Sequence, residues 1–367
     1  MSADVETIVV GAGAVGLAVA RALALAGRDV LVLERHRRIG AETSSRNSEV
    51  VHAGLYYPPG SLRARLCVAG RDLLYRFAAD NGVTAHRLGK LLVATNDDEI
   101  GRLDAISRTA EANGVTDLVA LDAVAARRLE PEVSCVAALL SPSTGIIDSA
   151  GLMQALEGHV LANGGGVVLE TAVEAVSRDA DGSYRLATRS ADSGPAAAIT
   201  CRRLVLAAGL GGTALADTFA WPASGYRPPR TYPTKGHYFS LAGRAPFSRL
   251  VYPMPQGAWL GIHLTLDVGG QAKFGPDLDH PPPSQVGEWG NPDSCRTGFP
   301  PPLALPRNHD ADYAFDDPNG ARAAKFACEI RRYWPGLADG ALLPAYTGIR
   351  PRIYAPGQPV ADFAIHG

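Results

Sequence analysis

Residues 5–34 read VETIVVGAGAVGLAVARALALAGRDVLVLE, and the order of their parts decides the fold. A short β-branched run, Glu6 to Val10, enters the turn Gly11-Ala12-Gly13-Ala14-Val15-Gly16. An Ala/Leu-rich helical pattern then runs from Ala14 to Ala26 and stops at Gly27, and a second apolar run, Asp29 to Glu34, closes on an acid. This is one βαβ unit. A GxGxxG pattern alone is a weak signal, but between a strand and a helix it forms a dinucleotide cradle. Gly11 permits the tight turn, Gly13 lets the backbone approach a pyrophosphate, and Gly16 lets the helix pack close. The helix N-terminus then offers unpaired N–H groups to the phosphates. Glu34 follows Gly16 by 18 residues, close to the roughly 20 expected of the acid that binds a ribose 2′-hydroxyl, where a 2′-phosphate would be repelled.

FAD and NAD share this cradle, and the next segment separates them. Residues 40–57 read GAETSSRNSEVVHAGLYY, small hydroxyl residues with an Arg and an Asn. Such a run suits wrapping a pyrophosphate and passing beneath a flavin ring, whereas an NAD enzyme would continue into its next parallel strand. The expected cofactor is FAD, and no metal is expected.

Further out, helical patterns cover Leu62 to Asn81, Asp97 to Asn113 and Ser149 to Ala162, and strand patterns cover Gly89 to Thr95, Gly166 to Leu169, Thr171 to Val176 and Arg203 to Ala208. Between Tyr232 and Phe274, the runs Lys235 to Ser240 and Trp259 to Thr265 alternate as antiparallel strands do. The expected fold is α/β: a Rossmann-like FAD-binding domain (1–85, 145–215 and 340–367) interleaved with an α+β antiparallel-sheet substrate domain (86–144 and 216–339). Residues 280–309 hold eight of the 27 prolines in no regular period, which excludes strand or helix interiors and marks an irregular insertion.

Bulk properties narrow the partner. With 367 residues, 46% of them hydrophobic, the chain can bury two domain cores. Lys and Arg number 35 against 37 Asp and Glu, without like-charge blocks, so neither a nucleic-acid footprint nor a polybasic membrane tail is expected. No apolar run approaches the roughly 18 residues of a membrane span, which leaves peripheral contact as the only membrane association. The cysteines Cys67, Cys135, Cys201, Cys295 and Cys328 form no CxxC pair and read as reduced, mostly buried thiols. A cytoplasmic enzyme is expected, or a mitochondrial one if a targeting segment has been removed.

In order along the chain, TSSRNSEVVHAGLYYP (43–58), LCVAGRDLLY (66–75), GKLLVAT (89–95), STGIID (143–148), GIHLTLDVGGQAKFGPD (261–277) and GIRPR (348–352) closely resemble the L-2-hydroxyglutarate dehydrogenase/oxidase family, within the D-amino-acid oxidase superfamily. The resemblance implies oxidation of an L-2-hydroxy acid, with hydride transfer from C2 to flavin N5 and final electron transfer to a quinone or oxygen. An amine or amino-acid oxidase on the same fold is the alternative. It also implies that Gly11, Gly13, Ala14, Val15, Gly16, Glu34, Arg35, Thr43, Ser44, Ser45, Arg46 and Asn47 hold the flavin, with Val173 at the adenine and Ala208, Gly209 and Gly348 along the cofactor. The family continues past the position of Gly367 into a strand and a final helix facing the flavin ring. A truncated, non-functional FAD-binding chain is therefore a further alternative.

The reaction needs a base for the hydroxyl proton and a grip on the carboxylate. The resemblance implies Arg350 as the grip, since superfamily members place a carboxylate-binding Arg near this part of the chain, and a guanidinium can hold both carboxylate oxygens. It also puts the segments of His52 and His263 near the flavin ring, which makes them the candidate bases. Lys235 and Tyr252 are expected at the distal end of a two-carboxylate substrate.

Overall fold

The computed structural model describes residues 3–190, 197–219, 228–254, 261–279, 313–355 and 357–363. Its first unit follows the opening sequence: β1 (Val5–Val10), α1 (Ala14–Leu25) and β2 (Val30–Leu33), with β1 and β2 parallel from Thr7↔Val30 to Val10↔Leu33. Ile8 and Val9 are fully buried on β1, and α1 lays Leu17, Ala20 and Ala24 against the sheet. A fully buried leucine such as Leu17 contributes on the order of 2 kcal/mol. Small residues on this helix face let it sit low over the strands.

After a single 3-10 turn at Thr43–Ser45, the chain forms β3 (Val50–Val51), α2 (Leu62–Asp80), β4 (Ala85–His86), β5 (Lys90–Ala94), α3 (Ile100–Ala112), β6 (Val119–Asp122), α4 (Ala123–Leu129), β7 (Ala137–Ser141) and β8 (Gly145–Ile147). It continues with α5 (Ser149–Ala162), β9 (Gly166–Val168), β10 (Thr171–Arg178), β11 (Tyr184–Ser190), β12 (Ala197–Leu206), α6 (Gly212–Asp217), β13 (Tyr232–Leu241) and β14 (Leu250–Pro253). Then come β15 (Leu264–Leu266), β16 (Ala272–Phe274), a helix here called α7 (Ala321–Arg331) and β17 (Leu342–Arg352). Helix starts carry their own caps: Ser61 accepts from the Ala64 N–H, Asp122 from Ala125, and Asp148 from Ala150 and Gly151.

The strands form three sheets. The nucleotide-binding sheet has six strands in the order β10-β11-β12-β1-β2-β9, with β12 parallel to β1, β1 parallel to β2, β2 parallel to β9, and β10-β11-β12 an antiparallel run. The second has eight strands, β17-β13-β16-β15-β14-β5-β7-β6, antiparallel except where β14 runs parallel to β5. A small three-stranded sheet, β3-β8-β4, completes the set. The main core packs α3, α7 and the following Tyr333, Trp334 and Leu337 on the eight-stranded sheet.

Most expected elements appear within a residue or two. The run Asp97 to Asn113 breaks into a 3-10 turn and α3, and β15 covers only the end of the run predicted from Trp259, whose first two residues lie outside the described set. The Pro-rich stretch 280–309 also lies outside it. One grouping differs from expectation: β17 pairs with β13 from Tyr232↔Arg352 to Leu241↔Leu342, so 342–352 belongs to the antiparallel sheet and not to the nucleotide-binding one. The described cysteines are all free, but only Cys135 and Cys201 are buried; Cys67 is half-buried and Cys328 exposed, because its helix turns that position outward.

Candidate active site

A cleft of about 500 Å³ opens at the carboxyl ends of β1, β2 and β12, lined among others by Gly11, Gly13, Val15, Glu34, Arg35, Thr43, Ser44, Val173, Ala208 and Gly209. This is where parallel α/β sheets bind ligands. The first turn of α1 holds no acidic side chain, and its N-cap, Gly13, makes no side-chain hydrogen bond. Ser44 Oγ accepts from the Ala14 N–H at 3.0 Å, and Val15 stands 71% exposed at the mouth. Backbone donors of a helix start facing an unfilled cleft suit an anion such as a pyrophosphate. A side chain at Gly16 would put its Cβ 1.9 Å from the Gly11 carbonyl oxygen, so only glycine allows the helix this close to the turn.

Glu34 is buried, accepting from the Ala12 N–H at 2.8 Å and the His36 N–H at 3.0 Å. A carboxylate has about four lone-pair sites, so these bonds orient the group and leave acceptor capacity towards the cleft. Arg35 pairs with Glu42 across the same wall. Between Val173 and Ala175 the β10–β11 ladder slips, so Glu174 is skipped at the wall where the adenine is expected. These features fit FAD: one cleft brings together a helix start for the pyrophosphate, an acid for the ribose and apolar wall residues for the adenine.

The rest of the TSSRN segment plays a different part. Thr43 donates to the Ile349 carbonyl at 3.1 Å and Ser45 to the Glu42 carbonyl. Arg46 lies over the Tyr313 ring at 4.1 Å and reaches the Thr347 carbonyl. Asn47 closes its own loop, donating to the Thr43 and Ser44 carbonyls and accepting from the Glu49 N–H. Gly348 sits so close to this loop that a Cβ there would lie 2.3 Å from the Arg46 carbonyl oxygen. Ser45, Arg46, Asn47 and Gly348 thus lock the segment onto β17 and lie outside the cleft lining.

Next to the cleft, β17 carries Arg350 towards a group of aromatic and basic side chains, His52, Tyr56, Lys90 and Tyr252. Pro351 and Ile353 line the cleft, while Arg350, between Ile349 and Pro351, is exposed and makes no hydrogen bond or ion pair with any described residue. Its charge reaches His52, Tyr57 and Tyr252. Although His52 is exposed as a residue, the protein around its imidazole and the positive charges of Lys90 and Arg350 lower its pKa below the ordinary value. His52 is therefore neutral at physiological pH. His263 is buried and stacks on Tyr252, with ring centroids 3.6 Å apart. Tyr252, which burial drives well above its ordinary pKa, forms the wall between them.

The structure separates the two residues expected at the distal end. Tyr252 lies in this group, but Lys235 lies elsewhere: its Nζ donates to the Ala314 carbonyl at 2.6 Å, beside Asp316. Strand alternation explains this, since Lys235 shares its face of β13 with His237, whose ring bonds Asp277 and Asp316. The group instead includes a lysine that sequence reading passed over. Lys90, at the start of β5, is 0% exposed, with its Nζ 4.8 Å from the ring centroids of both Tyr56 and Tyr252. The available signal was one charged residue opening an otherwise apolar strand, KLLVA.

Comparison with known proteins agrees with this geometry. The family model of the FAD dependent oxidoreductases (DAO) matches residues 6–366. L-2-hydroxyglutarate dehydrogenase, mitochondrial, of Arabidopsis thaliana is 39% identical over 99% of this chain and 76% of its own length; the human protein of that name is 33% identical over 74% of this chain. The chain covers only 60% of the human protein's length. Among solved structures, the dithionite-reduced L-alpha-glycerophosphate oxidase of Mycoplasma pneumoniae with FAD bound superposes with a TM-score of 0.78 at 21% identity, over 96% of this chain and 84% of that one. Glycine oxidase of Geobacillus kaustophilus superposes with a TM-score of 0.72 at 17% identity, over 96% and 84%. The glycine-turn cleft, the shared fold and the match across nearly the whole length lead to one conclusion: the chain belongs to the DAO family of FAD-dependent oxidoreductases, among the relatives of the L-2-hydroxyglutarate dehydrogenases.

Proposed function

We propose that this enzyme oxidises the C2 hydroxyl of an L-2-hydroxy dicarboxylic acid, L-2-hydroxyglutarate in the first instance, to the 2-oxo acid. One observation carries the reading: His52 lies in the field of two cations, Arg350 and the buried Lys90, neither of which forms an ion pair with a described carboxylate. Such a grouping favours a dianion, and the relatives' names supply its identity.

FAD, held by Gly11, Gly13, Ala14, Val15, Glu34, Arg35, Thr43 and Ser44 with Val173, Ala208 and Gly209 along it, supplies the two-electron acceptor. The residues of the chain do the rest. Arg350 grips the C1 carboxylate with its planar fork and so orients the C2–H bond. A ring nitrogen of His52 accepts the C2 hydroxyl proton. Burial is the main cause that lowers the imidazole, and a dianionic substrate offsets the two positive charges that add to it, which raises the basicity of His52 when the proton must move. His263, buried against Tyr252, shapes the wall.

Anaerobic mixing of the flavin-loaded protein with L-2-hydroxyglutarate tests this: bleaching of the flavin band is expected, and an unchanged spectrum sinks it. Bleaching by glycine or sarcosine instead would select the amine-oxidase alternative. Replacing Arg350 by Lys is expected to raise the substrate constant by at least ~10-fold, since the bidentate grip is lost; an unchanged constant would remove Arg350 from the carboxylate site. Reoxidation of the reduced protein by oxygen or by a quinone analogue, compared directly, identifies the acceptor. The cytoplasmic expectation rests on composition alone, and the relatives bearing this name are mitochondrial. No helix among the described residues is long and apolar enough to cross a membrane.

A further inference from the structure

Lys90 enters the chemistry above only as a positive charge acting on His52. It is wholly buried and forms no ion pair with any described residue; its Nζ donates to the Tyr56 hydroxyl oxygen at 3.3 Å and lies between the faces of Tyr56 and Tyr252. Aromatic faces stabilise a cation only in part, and a desolvated ammonium without a counter-ion is costly to keep. The cost shows in its pKa, which burial lowers to about 7. Among the described residues no carboxylate acts on any member of this group: the charged and polar neighbours of Lys90, His52, Tyr56 and Tyr252 are Cys67, Arg350, Tyr57, Tyr238 and the stacked ring of His263.

The hydrogen bond has a direction that matters. An ammonium can only donate, so the Tyr56 oxygen accepts and its own O–H hydrogen is left to point away from Lys90. A hydroxyl that already accepts from a cation is a stronger donor. Tyr56 lies on the segment that also carries His52, and His52 and Tyr252 both lie between the influence of Lys90 and that of Arg350.

We propose that Tyr56 and Lys90 form the subsite for the distal carboxylate of the substrate: Tyr56 donates its hydroxyl hydrogen to that carboxylate, and Lys90, behind it, supplies the counter-charge. A 2-hydroxy dicarboxylate then spans from Arg350 past His52 to Tyr56, with both charges met. A monocarboxylic 2-hydroxy acid fills only the Arg350 end and leaves Lys90 uncompensated. Lys90 acts through Tyr56 and is a positioning residue. The inference rests on the dicarboxylate oxidation proposed above and specifies which residues select that substrate.

Non-oxidisable probes separate this subsite from the reaction. Glutarate and butyrate are titrated against flavin-loaded wild type, Lys90→Met, Lys90→Arg and Tyr56→Phe, with the flavin absorbance spectrum as the readout. Wild type is expected to prefer glutarate. Loss of a desolvated charge partner should weaken glutarate in Lys90→Met by at least ~10-fold, while butyrate changes less than ~2-fold. Tyr56→Phe should weaken glutarate by about 5-fold, the size of one hydrogen bond, and Lys90→Arg should recover most of the preference. Equal weakening of both ligands in Lys90→Met and Tyr56→Phe, or no preference in wild type, overturns the proposal. If Lys90→Met does not load flavin, Tyr56→Phe decides. Should wild type prefer glutarate yet bleach with no 2-hydroxy acid, the subsite stands and the proposed reaction falls.

Discussion

A lysine kept for its ligand leaves a mark on stability. In the unfolded chain the Lys90 ammonium titrates at its ordinary value of 10.5, and in the fold burial lowers it to about 7. Between those values the unfolded chain binds a proton that the folded chain does not, so stability rises with pH across that window. Below about 7 both forms are protonated and the full penalty stands, on the order of a few kcal/mol. Lys90→Met is therefore expected to raise the melting temperature of the ligand-free protein at pH 6 by several degrees, the advantage shrinking towards pH 10. Thermal scans at both pH values check this; a lower melting temperature at pH 6 would mean that packing of the lysine stem between the two rings outweighs the charge. In the sequence Lys90 read as an ordinary strand opening, because period-2 alternation says which residues share a face and not which face is later enclosed by Tyr56 and Tyr252. Glu34 was legible because its partners, the glycine turn and helix start, lie within one local unit.

At the scale of elements, the same contrast recurs. β1, α1 and β2 are joined by short connections, and their periodicity suffices to place them. β17 depends on a partner more than a hundred residues away, β13, and no local pattern assigns it to one sheet or the other. The helix start of α1 depends on a similar long-range contact, the Ser44 hydroxyl on the Ala14 N–H. Ser44→Ala removes that acceptor, which helix-start substitutions value at about 1 kcal/mol. FAD affinity, followed by quenching of flavin fluorescence on reconstitution, is then expected to fall about 5-fold. An unchanged affinity would show that the hydroxyl only closes the loop. Of the TSSRN residues expected at the cofactor, Thr43 and Ser44 do line the cleft. Arg46 and Asn47 are turned to loop and β17 contacts instead, and a polar side chain that satisfies its own loop has the same sequence signature as one that meets a phosphate.

Across the whole molecule, the nucleotide-binding side and the eight-stranded sheet meet where the 43–47 loop touches β17. The contact consists of a few directed bonds: Thr43 to the Ile349 carbonyl, Arg46 to the Thr347 carbonyl, and the Tyr346 hydroxyl to the Asn47 carbonyl at 2.7 Å. Tyr346 is further held by stacking on Tyr238, with ring centroids 4.4 Å apart, so its hydroxyl reaches the loop without searching. The arrangement ties the 43–47 loop to the strand that carries Arg350, so that on the proposed reading flavin and substrate carboxylate share one frame. Tyr346→Phe keeps the stacking and deletes the bond. A net loss of about 1 kcal/mol is expected, visible as a fall of a few degrees in melting temperature. If the bond aligns the two halves, the substrate constant and flavin affinity should both weaken 2- to 5-fold, on the order of that same energy. A fall in melting temperature with both affinities intact would assign the bond to the fold alone. The frame would then rest on Gly348, where the 2.3 Å clearance to the Arg46 carbonyl leaves no room for any other residue.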